Sequence, residues 1–274
     1  TQDPGPQDQT LNSQGSPMLQ GCKKLLTASA LLLLAFPSIA TDLSAGLSVL
    51  LPQQSLRLDY NQPTRLEQVL KDTRKQASNQ QHQLESLQAQ LFDVNKQPQI
   101  ESQKREVLAQ LQQLNIEEPT IGADKLIAQI NAAEFKYREF TSLDYDVVQS
   151  QLKRNPLLDG QYQLNVATRD PHLYFFGAVK QVEQPLHRSQ WFLADYFKTL
   201  GQLRLDSAST SLALVIQPDG HINTAHYGNW NFKPHFIAPG ATVFVPFDSL
   251  PSQYASLNQD IAQLLRHKVM NNNE

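Results

Sequence analysis

Cysteine is almost absent from this 274-residue chain, and the lone Cys22 excludes a disulfide framework, a multi-thiolate metal site and any cysteine nucleophile beyond that position. An excess of one charge is missing too. With 23 Lys and Arg against 26 Asp and Glu, the formal net charge of −3 gives no basic field to mark nucleic acid as a partner. Catalytic signatures are also lacking: there is no Gly-rich phosphate loop, no G-x-S-x-G elbow, no H-E-x-x-H, and no carboxylate pair distinct from solvated helix faces. The chain is read as non-enzymatic, with no cofactor. His221, His226 and His235 lie close in sequence, but their spacing matches no standard metal site, so they are read as exposed and no metal is assigned.

One apolar run stands out, residues 25–36, shorter than the roughly 20 residues that span a bilayer. Lys23 and Lys24 precede it, Pro37 breaks it, and Ser38 and Ala40 follow, so residues 18–40 read as a secretory signal peptide cleaved after Ala40. Residues 1–17 are polar and turn-rich and are set aside as a non-native or upstream extension. Cleavage would remove Cys22, and a thiol-free mature chain is expected in the periplasm.

What is present is a change of hydrophobic period along the chain. "GLSVLLPQQSLRLDY" (46–60) alternates around Pro52 like an opening β-hairpin. From residue 64 the apolar residues Leu66, Val69, Leu70, Ala77, Leu84, Leu87, Leu91 and Val94 recur at three- and four-residue steps, which predicts a long amphipathic helix. A second helix through Val107, Leu108, Leu111 and Leu114 would complete a helical hairpin, followed by a short third helix bearing Leu126, Ile127 and Ile130. Residues 134–145 and 161–168 read as strands bracketing this insertion at about 64–132, giving a first β domain over 41–168.

The second domain, 169–248, opens with a predicted hairpin (173–177 and 179–186) and a helix N-capped by Ser189 that carries Phe192, Leu193, Tyr196, Phe197 and Leu200. A strand pair turning at Asp219-Gly220 and a closing strand with Val243, Val245 and Phe247 follow. This order suggests a β-grasp (ubiquitin-like) unit, with the last strand beside the first. The fold class is α+β: two tandem β-grasp domains, a helical hairpin inserted in the first, and a C-terminal amphipathic helix and tail over 249–274. Tyr254, Leu257, Ile261, Leu264, Leu265 and Val269 share one face of that helix, and Arg266, His267 and Lys268 fall in its last turn, where cations suit the dipole. The stripe either covers an apolar patch of its own domain or contacts a membrane or partner. Tyr227 and Trp230 are candidate sugar-stacking rings, with core packing as the competing reading.

The phrases "NPLLDGQYQLNVATRDPHLYFFGAVKQVEQPLHRSQWFLADYF", "LALVIQPDGHINTAHYGNWN", "IAPGATVFVPFD" and "LNQDIAQLLRHKV" resemble the GfcC (YjbG-like) family of periplasmic proteins for capsule and exopolysaccharide biosynthesis. The resemblance implies β-grasp domains similar to those of Wza-type outer-membrane exporters (SLBB-like), and a tail helix packed on its own second domain. It implies a non-enzymatic role in assembly or export of surface polysaccharide. Polysaccharide or outer-membrane export components are the partners it suggests. Docking to an outer-membrane partner without polysaccharide contact is the alternative. It also carries over one residue: "YREFTSLD" places Arg138 where the family has an arginine before a Leu-Asp pair, here Leu143-Asp144. That guanidinium is either a fork for an anionic or hydroxyl-rich ligand or a junction arginine paired with Asp144. Glu139 beside it would oppose an acidic sugar unless strand alternation turns it away.

Overall fold

The computed structural model describes Thr1 and residues 46–79, 86–166 and 169–270. The expected signal peptide, residues 2–17 and Leu84 of the apolar stripe lie outside the described residues.

Strand β1 (Leu47–Leu51) buries Leu47, Val49 and Leu51 in strict alternation and turns through Pro52–Gln54 into β2 (Leu56–Tyr60). Strand β3 (Thr64–Arg65) leads into α1 (Leu66–Asn79), whose first turn is held by the Asn155 side chain accepting from Glu67 N at 3.0 Å. The long helix predicted through Val94 ends here. Gln90–Asp93 instead forms β4, with all four residues buried. Leu87, Leu91 and Val94 fit a helical period by coincidence, because a central strand buried on both faces has no alternation to reveal it.

Asp93 accepts from Asn95 N at 2.9 Å, and α2 (Gln97–Glu117) follows with Pro98 in its first turn. Helix α3 (Ala123–Ala132) packs against α2, so the helical hairpin is α2–α3 and not α1–α2. Of the strand predicted over 134–145, only β5 (Arg138–Glu139) forms; Asp144 then caps α4 (Tyr145–Ser150) by accepting from Asp146 N and Val147 N. Strand β6 (Leu157–Leu158) pairs with β3, and β7 (Gly160–Asn165) closes this half.

In the second half, β8 (Tyr174–Gly177) has no regular hairpin partner. The segment after it meets β8 and the residues before it at the isolated bridges Phe175↔Glu183 and His172↔Leu186, and between them Pro185 has no N–H to offer a ladder. Helix α5 (Leu193–Thr199) starts later than a Ser189 cap would place it, with the Asp195 carboxylate accepting from Phe192 N at 2.8 Å. Strands β9 (Leu212–Ile216) and β10 (Ile222–His226) form the expected hairpin, β11 (Thr242–Val245) follows, and α6 (Leu257–Leu265) ends the fold.

The architecture is mixed α+β. One sheet runs β2-β1-β7-β4-β5 and another β10-β9-β11-β8, with β3-β6 as a small pair. β1 is parallel to β7, and β8 to β11. Gly177 is required where β8 meets β11: its φ is +107°, and a Cβ there would overlap the Val245 carbonyl oxygen and the Phe244 ring. The first sheet's core takes Leu66, Val69 and Leu70 of α1 and Val148 of α4. The buried faces of α2 and α3, Ile100, Val107, Leu111, Leu114, Leu126 and Ile130 among them, share a core with the second sheet and α6.

Tyr254, Leu257, Ile261, Leu264 and Leu265 lie in that core, each at most 5% exposed. As surface contacts for a membrane or partner they are corrected: the stripe is consumed by its own chain, because α2 and β9 both pack on α6. The three cations fall just beyond the helix, with Arg266 as its C-cap residue.

The Arg138 cleft

Arg138 sits on β5, at the edge of the first sheet, and the chain beyond it runs through Phe140–Leu143 to the α4 cap. Opposite stands the β9–β10 turn, in which Gly220 N donates to Gln217 O at 2.8 Å and His221 N to the Asp219 carboxylate at 2.9 Å. Gly220 has φ +86°, and a Cβ there would lie 2.5 Å from the Phe140 ring. The turn therefore needs glycine twice over, for its backbone and for the close approach of Phe140.

Two guanidinium groups meet at this ring. Arg266 Cζ stands 3.9 Å from the Phe140 centroid and Arg138 Cζ 5.8 Å from it. Arg138 Nη2 donates to the Pro218 carbonyl and, at 3.5 Å, to that of Ala89; Arg266 Nε donates to Gly220 O at 2.8 Å and Nη1 to the Gln263 side chain at 2.8 Å. Both arginines thus brace the same turn. The alternative pairing of Arg138 with Asp144 does not form; Asp144 Oδ1 accepts from the α4 backbone instead. Glu139 does face the other way, 2.5 Å from Lys96 Nζ, as strand alternation requires.

These groups line an open cleft of about 650 Å³ with Thr141, Ser142, Asp144, Arg154 and His221. Burial lowers the Arg138 pKa to about 10; Asp219 opposes the shift and Arg266 adds to it. Arg266 is lowered by burial as well, again opposed by Asp219. Both cations stay charged at neutral pH. Among the described residues no hydrogen bond engages Nε or Nη1 of Arg138, so donors remain for a ligand. A site with three arginines against two aspartates, with hydroxyls and one aromatic face, suits recognition of an acidic, hydroxyl-rich molecule.

Behind the arginines His267 is locked in place. Its Nδ1 accepts from Arg138 N at 3.0 Å, and its ring meets Phe140 edge-on at 5.1 Å and Tyr137 at 5.4 Å. Burial first, then Arg266 and Arg138, push its pKa down to about 4, partly opposed by the Lys136 main chain.

The two stacking candidates are not brought together. Tyr227 is buried, 4.5 Å from the Phe197 ring centroid, with its hydroxyl donating to Ser209 O and accepting from Arg204 Nη1 at 3.0 Å. It is a core residue, because its main chain still follows the β9–β10 ladder by donating to Ser211 O. Trp230 is 83% exposed on the following loop, and neither ring lines the cleft. Phe140 and Arg266 were missed as site residues. The only signal for Phe140 was its place in "YREFTSLD"; Arg266 gave none beyond its charge at a helix end.

The family model described as "Capsule biosynthesis GfcC, N-terminal" matches residues 44–169, and "Capsule biosynthesis GfcC C-terminal" matches residues 180–270. The "Uncharacterized protein YjbG" of Escherichia coli (strain K12) is 30% identical over 143 residues, 52% of this chain. The chain spans 58% of the length of that curated relative. On the two family matches, which between them run from residue 44 to residue 270 but for a short gap, this chain belongs to the GfcC capsule-biosynthesis family.

Proposed function

We propose that the chain is a non-enzymatic periplasmic accessory in assembly or export of capsular polysaccharide or exopolysaccharide, and that the Arg138 cleft holds an acidic stretch of that polymer. The observation that carries this reading is the pair of guanidinium groups on one aromatic ring in the lining of an open cleft. The fold reading behind it is two β-grasp units, supported in each large sheet by a first strand parallel to its last, β1 with β7 and β8 with β11. Recognition then needs only charge-assisted hydrogen bonds to carboxylate and hydroxyl groups.

Titration calorimetry of the protein with the polysaccharide of its native host tests this. Binding heat is expected, falling steeply with salt and lost in Arg138→Gln. Arg266→Gln, at a half-buried position, guards against a folding defect and should weaken binding at least tenfold while cooperative unfolding is kept. No heat with wild type sinks the cleft reading and favours docking to an outer-membrane partner. Release of reducing ends from the polymer would overturn the non-enzymatic part. In cells, a gene deletion that leaves surface polysaccharide unchanged in amount and chain length would refute the assembly role.

A further inference from the structure

The loop after β10 does something the core does not require. Trp230 is 83% exposed and Phe236 95%, while Phe232 and Phe192 are 45% and 40% exposed and stack edge to face at 5.5 Å. Four large rings thus stand at the surface along two neighbouring segments. The loop that carries three of them is tied down: Asn231 N donates to Gly228 O and Lys233 N to His226 O, each at 3.1 Å. The Gln217 side chain clamps its far end, donating to Phe236 O at 2.9 Å and accepting from Ala238 N at 3.1 Å. A backbone satisfied in this way projects its aromatics outward.

Charge says what they meet. From Gly220 to Phe247 there is no Asp or Glu, while Lys233 and the histidines His221, His226 and His235 lie within that stretch; the Phe192 segment carries Arg188, and its nearest carboxylate, Asp195, is engaged by Phe192 N. In a chain of net charge −3, this surface is set apart. Exposed Trp and Phe on a loop that carries Lys233 and no acid match the headgroup layer of an anionic bilayer, which accommodates projecting rings without a pocket. A sugar platform fits less well, because three of the four rings are Phe and carry no polar edge. No helix among the described residues is long and apolar enough to cross a membrane, so the contact would be peripheral.

We propose that residues 228–236 form a peripheral anchor that seats Trp230 and Phe236 in the headgroup region of an anionic phospholipid surface. The same β9–β10 turn holds this loop through Gln217 and the Arg138 cleft through Pro218 and Gly220, so docking would fix the cleft's height above the bilayer. The anchor does not depend on what the cleft binds.

Tryptophan fluorescence tests it, since Trp191 and Trp230 are the only indoles in the chain. The full chain is mixed with phosphatidylcholine vesicles with or without phosphatidylglycerol, their acyl chains brominated as quencher. With phosphatidylglycerol, a blue shift and quenching are expected, and both vanish in Trp230→Phe. Phe236→Ser should weaken partitioning about tenfold, the loss of one phenyl's burial. Lys233→Glu should remove the preference for phosphatidylglycerol. These side chains are exposed, so unchanged melting temperatures verify the fold. Quenching that survives in Trp230→Phe, vesicle binding with no Trp230 quenching, or a Trp230 shift with polysaccharide and none with vesicles would each overturn the anchor.

Discussion

Acidification should loosen the junction behind the Arg138 cleft, and the effect is traceable to one ring. His267 has a pKa near 4 in the folded protein, held down by burial and by Arg266 and Arg138, against an ordinary value of 6.5. Between those values the unfolded chain binds a proton that the folded chain refuses, so stability falls as pH drops from 6.5 toward 4 and is fully present above 6.5. Two and a half pH units at 1.36 kcal/mol each bound the loss at about 3 kcal/mol; partial exposure of the ring brings it to about 2 kcal/mol. Protonation also turns Nδ1 from acceptor to donor, which breaks the bond from Arg138 N. The assay is urea unfolding at pH 7 and pH 4.5 for wild type and His267→Asn, whose side-chain oxygen can accept that N–H without titrating. Carboxylates elsewhere contribute equally to both proteins, so the difference between them isolates the histidine. Wild type should lose about 1–2 kcal/mol more than the variant over that range. Equal losses would refute the claim that a neutral His267 holds the junction.

Three further outcomes follow from packing and burial. Lys268 lies under Tyr174, its Nζ 4.7 Å from the ring centroid, and burial lowers its pKa to about 8 against the pull of Asp170. Its charge therefore costs stability below pH 8, and Lys268→Met should stabilise the protein at pH 7 by about 1–2 kcal/mol and remove a gain otherwise seen between pH 8 and 10.5, both measured by urea unfolding. Gly177→Ala should destabilise by about 2–4 kcal/mol in the same assay, because the residue must hold a positive φ against the Val245 carbonyl; a loss below 1 kcal/mol would mean that β8 and β11 part easily. Tyr227→Phe should cost about 1–2 kcal/mol in thermal unfolding by orphaning Ser209 O and Arg204, and leave polysaccharide binding unchanged; weaker binding with unaltered stability would put Tyr227 back among the ligand contacts.

Much of the fold could be read from the chain because the relevant forces are local. The β1–β2 hairpin shows in its alternation, the β9–β10 turn in Asp219-Gly220, and α6 in one continuous apolar stripe. The same local rules misjudged β4. Leu91 and Phe92 are both buried, so a strand covered on two faces carries no period-two signature, and Leu87, Leu91 and Val94 at helical spacing masked it. The Ser189 cap failed in the same way: a competent capping residue was present, but Asp195 starts the helix later by reaching back to Phe192 N.

The cleft depended on contacts that no spacing encodes. Arg138 was identified from its motif, but its partners proved to be the carbonyls of Ala89 and Pro218, the latter 80 positions away, in place of nearby Asp144. Arg266 looked like a helix-end cation and became the second guanidinium on Phe140 because α6 packs beside β9 and delivers its C-cap to the Gly220 turn. Tyr227 and Trp230, three residues apart, went to opposite environments, one following the sheet into the core and the other held out on a loop clamped by Gln217. By itself, the sequence determined which segments had an apolar face to bury and which turns were affordable. Only the tertiary structure decided which faces met, because burial is non-directional and the same stripe on α6 would have satisfied a membrane as well as its own core.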